Sequence, residues 1–385
     1  MTVPAPWLQA LPDAACQRAT DAWAIEQRGI PGVELMERAG AGLAGMVDSR
    51  APEGRIVVVV GGGNNGGDGL VVARLLRDRG RDVDVLMLAP GEQLRGDALT
   101  NFERLPPPAA APFDAGRLDG AAAIVDAILG TGFSGEPREP AAGAIGAINA
   151  ATGAVVVACD VPSGVDASTG EVVGTAVRAD VTVTFHAAKP GLWIAPGKHH
   201  AGDVEVVDIG IPADAPGSAD VGLIEAGVLE VIPRRGREST KFAAGAVLVC
   251  GGSTGLTGAP CLASEAAMRA GAGYVTALVP ASLNLVFEQR LLEVMSVPLP
   301  DNDGALTLDA AEIVLERTGR AGALVLGPGL GRAHGSVELA RTVSRHAEIP
   351  LLLDADGLNA HAGRLASLAG RPAGTVLTPH AGELA

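Results

Sequence analysis

The segment 56–80 limits the fold more than any other part of the chain. An unbroken apolar run, Ile56 to Val60, stops at GGGNNGGDG (61–69) and passes into LVVARLLRDRG. A strand that is apolar at every position must be covered on both faces, as in a parallel sheet flanked by helices. The segment after the glycines has helical periodicity and stops at Gly80, a residue type suited to the left-handed end of a helix. Similar strand-like runs follow at 83–89, 122–129, 154–161, 181–185 and 204–210. Together they predict a mostly parallel, doubly wound α/β sheet with helices on both faces. Ahead of it, residues 21–48 read as helical, with a Gly-Ile-Pro-Gly break at 29–32 dividing two helices.

A second series starts at AVLVCGG (246–252) and continues through 274–280, 323–329 and 350–356 to TVLTPH (375–380). Between the two series lie a Pro-, Ala- and Gly-rich stretch (211–220) and the polar PRRGREST (233–240), which place a domain boundary near 225–238. A length of 385 residues also suits two domains, here 1–225 and 238–385. No helix is expected after the last strand-like run.

The net charge of −15 argues against nucleic-acid binding, which needs clustered Lys and Arg. It does not exclude an anionic ligand held by helix N-termini and backbone amides. Cys16, Cys159, Cys250 and Cys261 have no metal-like spacing and read as free buried thiols of a reducing cytosol. No secretory signal is visible, and no apolar run approaches the roughly 20 residues that span a bilayer. A cytoplasmic protein with no membrane partner is expected.

Three strand ends of the first series carry oxygen-bearing side chains: Asn64, Asn65 and Asp68 in the glycine turn, Asp126 in VDAILGTGFSGE, and Asp160 and Ser163 in DVPSGVD. In a doubly wound sheet, neighbouring strand ends deliver their residues to one crevice. The glycines of the turn would allow positive φ and remove Cβ atoms that block a phosphate. Segment 130–136 would form an amide-rich wall. Lys189 and His186 after a later strand are candidate ligand contacts, with a buried or capping role preferred for His186.

These motifs, in this order, resemble the NAD(P)H-hydrate epimerase family: GVELMERAG, NNGGDG, VDAILGTG and DVPSGVD, from about 13 to 212. The family interconverts the R and S forms of NADHX and NADPHX, hydrated nicotinamide cofactors. The resemblance implies a Rossmann-like domain in which Asn65, Asp126 and Ser163 bind potassium. It further implies contacts to the hydrated cofactor from Asn64, Asn65, Gly66, Gly67, Asp68, Gly130, Thr131, Gly132, Phe133, Ser134, Gly135, Glu136 and Asp160. Asp160 is the candidate for acid–base work, since epimerisation needs loss and return of hydroxyl, or ring opening, beside a positively polarised ring. The family's epimerases often pair, so a homo-oligomer is allowed for.

Residues 238–385 resemble the ADP- or ATP-dependent NAD(P)H-hydrate dehydratase family, with a ribokinase-like fold. The resemblance rests on GGSTGLTGAP, ALVLGPGLG, LLLDADGLN and VLTPHAGEL. It implies ADP or ATP with magnesium, phosphorylation of the hydrate, and elimination of phosphate. By position Ala259, Gly329 and His380 would touch the hydrated cofactor. The family's later half supplies a lysine-bearing nucleotide segment and a Gly-Asp anion hole, and nothing after His380 corresponds to either. The expectation is a domain incomplete at its C-terminus, with an open sheet edge and no dehydratase activity of its own.

Three other readings compete. A Rossmann dehydrogenase would need GxGxxG and an acidic residue about 20 positions on, and neither requires the Asn pair. A sugar or vitamin kinase could share the second fold. A non-catalytic binding module on the epimerase fold would bind hydrate without exchanging its epimers.

Overall fold

The computed structural model describes residues 7–384 apart from 109, 213, 216–218, 220 and 235. The chain divides into two compact units, Met1–Ile232 and Pro233–Ala385. In the first unit, the strands are β1 (Leu8–Ala10), β2 (Ile56–Val60), β3 (Val83–Met87), β4 (Ala111–Pro112), β5 (Ala123–Ala127), β6 (Val155–Cys159), β7 (Val181–Phe185), β8 (Asp203–Val207) and β9 (Gly222–Ile224). Its principal helices are α1 (Ala14–Glu26), α2 (Gly32–Arg50), α3 (Asn64–Asp78), α4 (Gly96–Glu103) and α5 (Ala141–Ala150). The Gly-Ile-Pro-Gly break separates α1 from α2 as expected.

Seven strands form a parallel sheet in the order β4-β3-β2-β5-β6-β7-β8. The chain winds outward from β2 to β4, then returns to β5 on the other side of β2, so the topological switch point lies between β2 and β5. All five residues of β2 are buried. Ile56, Val58 and Val60 pack with Leu43, Val47, Leu70 and Leu76 of α2 and α3, while Val57 and Val59 pack with Ile145 and Ile148 of α5. A continuous apolar run is what this two-sided burial demands. The antiparallel pair β1–β9 had no signal in the sequence; its register joins Leu8 to Ile224 and Gln9 to Leu223.

The glycine turn corrects one expectation. None of Gly61, Gly62, Gly63, Gly66, Gly67 or Gly69 has positive φ. Helix α3 starts directly at Asn64, and most of these glycines are there to let it lie against the sheet. A Cβ on Gly66 would stand 2.1 Å from the Gly61 carbonyl oxygen, and one on Gly69 would stand 2.5 Å from the Ala127 Cβ. Of these only Gly63 faces open space, its position meeting nothing within 4 Å, while a Cβ on Gly62 would make an ordinary contact with the Ala89 Cβ at 3.7 Å. Gly66→Ala is therefore expected to cost about 1–3 kcal/mol, the usual range for overpacking, with a lowered melting temperature as the readout. Gly63→Ala should melt like the wild type.

In the second unit, β10 (Ala246–Cys250), β11 (Tyr274–Pro280), β12 (Met295–Leu299), β15 (Ala323–Leu326), β16 (Leu351–Leu353) and β17 (Thr375–Leu377) form a parallel sheet in the order β12-β11-β10-β15-β16-β17. The hairpin of β13 (Asp301–Asn302) and β14 (Ala305–Leu306) and strand β12 were not legible as elements in the sequence. Contrary to expectation a helical turn, Ala381–Leu384, does follow β17; four residues are too few to show apolar periodicity. Among the described residues no helix is long and apolar enough to cross a membrane. Cys159, Cys250 and Cys261 are buried with free thiols, whereas Cys16, near the start of α1, is half-buried.

Candidate active site

A cleft of about 610 Å³ opens where the C-terminal ends of β2, β5 and β6 meet helices α1 and α2. Of the residues singled out in the sequence, Asn64, Asn65, Asp68, Gly130, Thr131, Gly132, Phe133, Asp160 and Lys189 line it. Phe133, Ser134, Gly135 and Glu136 line a second cavity of about 510 Å³. Gly66 and Gly67 line neither, being packed against the Gly61 carbonyl and Met36 respectively.

Asp160 sits at the end of β6 with φ of +67°, a value that side-chain-bearing residues rarely adopt. Its N–H donates to the Val183 carbonyl at 2.7 Å, and the Val161 N–H donates to the Cys159 carbonyl at 2.8 Å. This closes a strained three-residue turn. The turn aims the carboxylate across the strand ends. Lys189 Nζ donates to Asp160 Oδ1 at 2.6 Å, to Thr184 Oγ1 at 2.7 Å and to the Phe185 carbonyl at 3.0 Å. Thr184 Oγ1 donates to the same Oδ1 at 3.1 Å, while the Thr131 amide, at 3.2 Å, and hydroxyl donate to Oδ2. Burial would raise the Asp160 pKa, but the Lys189 charge and the hydrogen bonds of Lys189 and Thr131 outweigh it and hold the carboxyl below its ordinary 3.8.

Lys189 lies in the cleft wall, but its side chain is 1% exposed and its three hydrogens are all used, which braces Asp160. His186 repeats the Asp160 turn one strand over, with φ of +64° and its N–H donating to the Val207 carbonyl at 2.9 Å. It is half-buried and does not line the cleft. Burial, with Lys189 nearby, lowers its pKa.

Two further carboxylates, Asp68 and Asp21, line the cleft with Asp160. Burial first, then repulsion from Asp160 and Asp21, lifts Asp68 well above its ordinary value. Asp21, on α1, accepts from Gln17 Nε2 at 2.9 Å and is likewise raised, mainly by burial. Sequence reasoning missed Gln17, Asp21 and Asp97 of the wall, because acidic and amide positions on amphipathic helices look like solvent-facing ones.

Behind the cleft floor, Asp126 and Ser163 are fully buried. Ser163 donates from its amide to Asp126 Oδ2 at 2.8 Å and from Oγ to Oδ1 at 2.5 Å, and its Oγ accepts from the Leu129 amide at 2.8 Å. Burial pushes the Asp126 carboxyl up to about 6 despite these bonds. Asn65, also buried, has no hydrogen-bond partner on either Oδ1 or Nδ2. It lies against Gly130, where a Cβ would come within 2.9 Å of its side chain. The unpartnered amide oxygen of Asn65 and the buried carboxylate of Asp126, which no cation pairs among the described residues, are hard oxygen donors and suit a hard cation better than a transition metal.

Residues 32–191 match the family described as YjeF-related protein N-terminus, and residues 247–385 match that described as NAD(P)H-hydrate dehydratase. Over 96% of its length the chain is 40% identical to a bifunctional NAD(P)H-hydrate repair enzyme of Salinibacter ruber, covering 73% of that protein. The chain belongs to the family of bifunctional NAD(P)H-hydrate repair enzymes. A second relative of that description, from Moorella thermoacetica, is 39% identical over 92% of this chain and 70% of its own. An ADP/ATP-dependent NAD(P)H-hydrate dehydratase from Bacillus subtilis, solved with ATP and magnesium, aligns with 41% of this chain and 52% of its own at 25% identity and a TM-score of 0.31.

In the dehydratase-like unit of this family member, Gly329 has φ of +63° and follows β15. A Cβ there would stand 2.3 Å from the Leu256 carbonyl oxygen, and its own carbonyl accepts from Ser253 Oγ at 2.9 Å. The turns after β10 and β15 are thus locked together, with Ala259 exposed in the first turn of helix Gly258–Arg269. His380 lies beyond β17, two strands from β15. It is exposed, and its bonds are local: its N–H donates to Glu383 Oε2 and its Nδ1 accepts from the Gly382 N–H, both at 3.0 Å. The structure therefore joins the Ala259 and Gly329 turns but links His380 to neither by a hydrogen bond.

Proposed function

We propose that the first unit exchanges the R and S epimers of NADHX and NADPHX, and that the second belongs to the nucleotide-dependent dehydration of the S form. The observation that carries the epimerase reading is the placing of two carboxylates in one cleft: Asp160, aimed into it by a strained turn and gripped by Lys189 and Thr131, and Asp68. The first is driven below its ordinary pKa by those partners and the second well above it by burial. Groups driven apart in this way make an acid and a base at one pH. Asp68 gives its proton to the departing hydroxyl as the C–O bond breaks and the ring nitrogen's electron pair forms a C=N bond. Water then adds to the opposite face while Asp160 takes its proton. Surrounding carboxylates stabilise the cationic ring between the two steps.

Asn65, Asp126 and Ser163 would hold potassium, which supplies a fixed positive charge under this acidic floor. With potassium saturating its site, the wild type gains stability, by about 1.4 kcal/mol when the ion is tenfold above its Kd. Asn65→Ala should lose that gain in a melt with potassium against one with a bulky organic cation. In the organic cation alone it should melt no lower than the wild type, because its buried amide has no partner to lose.

ADP or ATP with magnesium is the proposed phosphoryl donor for the second unit. Free thiols at the buried Cys159, Cys250 and Cys261 fit a reducing compartment such as the cytoplasm. The test of function is direct: R-NADHX with the chain and potassium, the epimers separated by chromatography over time. Appearance of the S form faster than the spontaneous rate supports the reading, and a folded chain without effect on that rate sinks it.

A further inference from the structure

Helix α1 buries only Gln17, Thr20 and Ala24 among its 13 residues. Gln17 is 6% exposed and lines the cleft, in a place where packing alone would favour an apolar side chain. Its Nε2 donates to Asp21 Oδ1 at 2.9 Å, one turn further along the helix. That bond fixes the amide: the nitrogen is engaged, and Oε1 is left buried with no hydrogen-bond partner among the described residues. An unpaired buried oxygen is destabilising, and such atoms are uncommon in folded proteins. Asp21 brings a second acceptor to the same stretch of wall, its other carboxylate oxygen.

Two neighbouring acceptors suit a group with two N–H donors. The nicotinamide ring carries one such group, its primary carboxamide. The carbon that bears it lies across the ring from the hydrated carbon. A ring with the hydrated carbon at Asp160, on a strand end, therefore sends its carboxamide away from the strands and toward the helices.

We infer that Gln17, oriented by Asp21, reads the carboxamide of the substrate ring and sets the preference for it over rings with no N–H donor at that position. The inference deepens the epimerase reading and rests on it for the placement of the ring. A nicotinic acid ring does not test it, because Asp21, Asp68, Asp97 and Asp160 in the cleft wall repel a carboxylate whatever Gln17 does. The hydrate of reduced 3-acetylpyridine adenine dinucleotide does. It is alike in shape at the ring and in charge, and it keeps the carbonyl but has no N–H.

By calorimetry, the wild type should bind NADHX about 10–100-fold more tightly than the acetyl hydrate, the scale set by one buried acceptor left unpaired. Gln17→Met keeps the length of the side chain and removes the acceptor, so the two hydrates should bind it nearly alike. In epimer exchange, the ratio of kcat/KM for the two hydrates should fall by a similar factor between wild type and variant. Comparing the ratios cancels the intrinsic reactivity of the two rings. Equal affinity of the wild type for both hydrates overturns the inference without any variant. So does a preference that persists undiminished in a folded Gln17→Met. A preference that disappears with Gln17 in a chain that exchanges no epimers upholds the carboxamide contact and sinks only the epimerase reading.

Discussion

Asp160→Asn should lower the rate of epimer exchange by about 10²–10⁴-fold, the range typical of a lost general base. Asparagine is the informative choice. It tolerates the φ of +67° that alanine would resist, and its amide oxygen still accepts from Lys189 or Thr131. Chromatography of the epimers gives the rate, and the kcat and KM components separate the roles. A fall in kcat with KM nearly constant places Asp160 in the proton-transfer step; a rise in KM alone would reduce it to a binding group. Because Asp160 is held below its ordinary pKa, the wild type keeps its base through the neutral range and into mild acid. Any acid limb above that must come from another group.

The sheet, its winding and the strand ends that carry the cleft were legible because parallel strands write themselves as unbroken apolar runs. The residues of Asn65, Asp126, Asp160 and Ser163 could be collected from those ends before any coordinates. What could not be read was how they bond. Nothing in FHAAKPGL says that its lysine turns inward: a lysine after a strand usually reaches solvent, and only the acceptors of Asp160, Thr184 and Phe185 make its burial tolerable. The glycine turn misled for a related reason. Glycine serves both positive φ and close packing, and a sequence does not say which. Here α3 begins at once and presses Gly66 against Gly61, so packing decides. The wall from α1 was hidden because Gln17 and Asp21 are residue types normally assigned to water.

Lys189→Met should destabilise the first unit by about 3–5 kcal/mol, the usual cost of stripping one partner from a buried ion pair. The lysine is 1% exposed and the aspartate 14%, so little solvent screens what remains. All three tryptophans, Trp7, Trp23 and Trp193, fall in the first unit, and their fluorescence in urea follows that unit without the second. The pH dependence has a definite sign. With its folded pKa depressed, Asp160 contributes stability that is fully present above the ordinary 3.8 and is lost as pH falls through the lower folded value. The gap between wild type and Lys189→Met should therefore be widest at neutral pH and close in acid. Asp160→Asn alone leaves the ammonium buried without its carboxylate, and should cost stability as well as activity. The double variant removes both charges, so its stability should return to within about 1 kcal/mol of the wild type while exchange stays lost. Recovery of stability without recovery of exchange assigns the pair two separable jobs: Lys189 holds the strained turn and its carboxylate in place, and Asp160 does the chemistry. If the double variant is no more stable than Lys189→Met, the loss lies in packing around the lysine stem, and the charge argument fails.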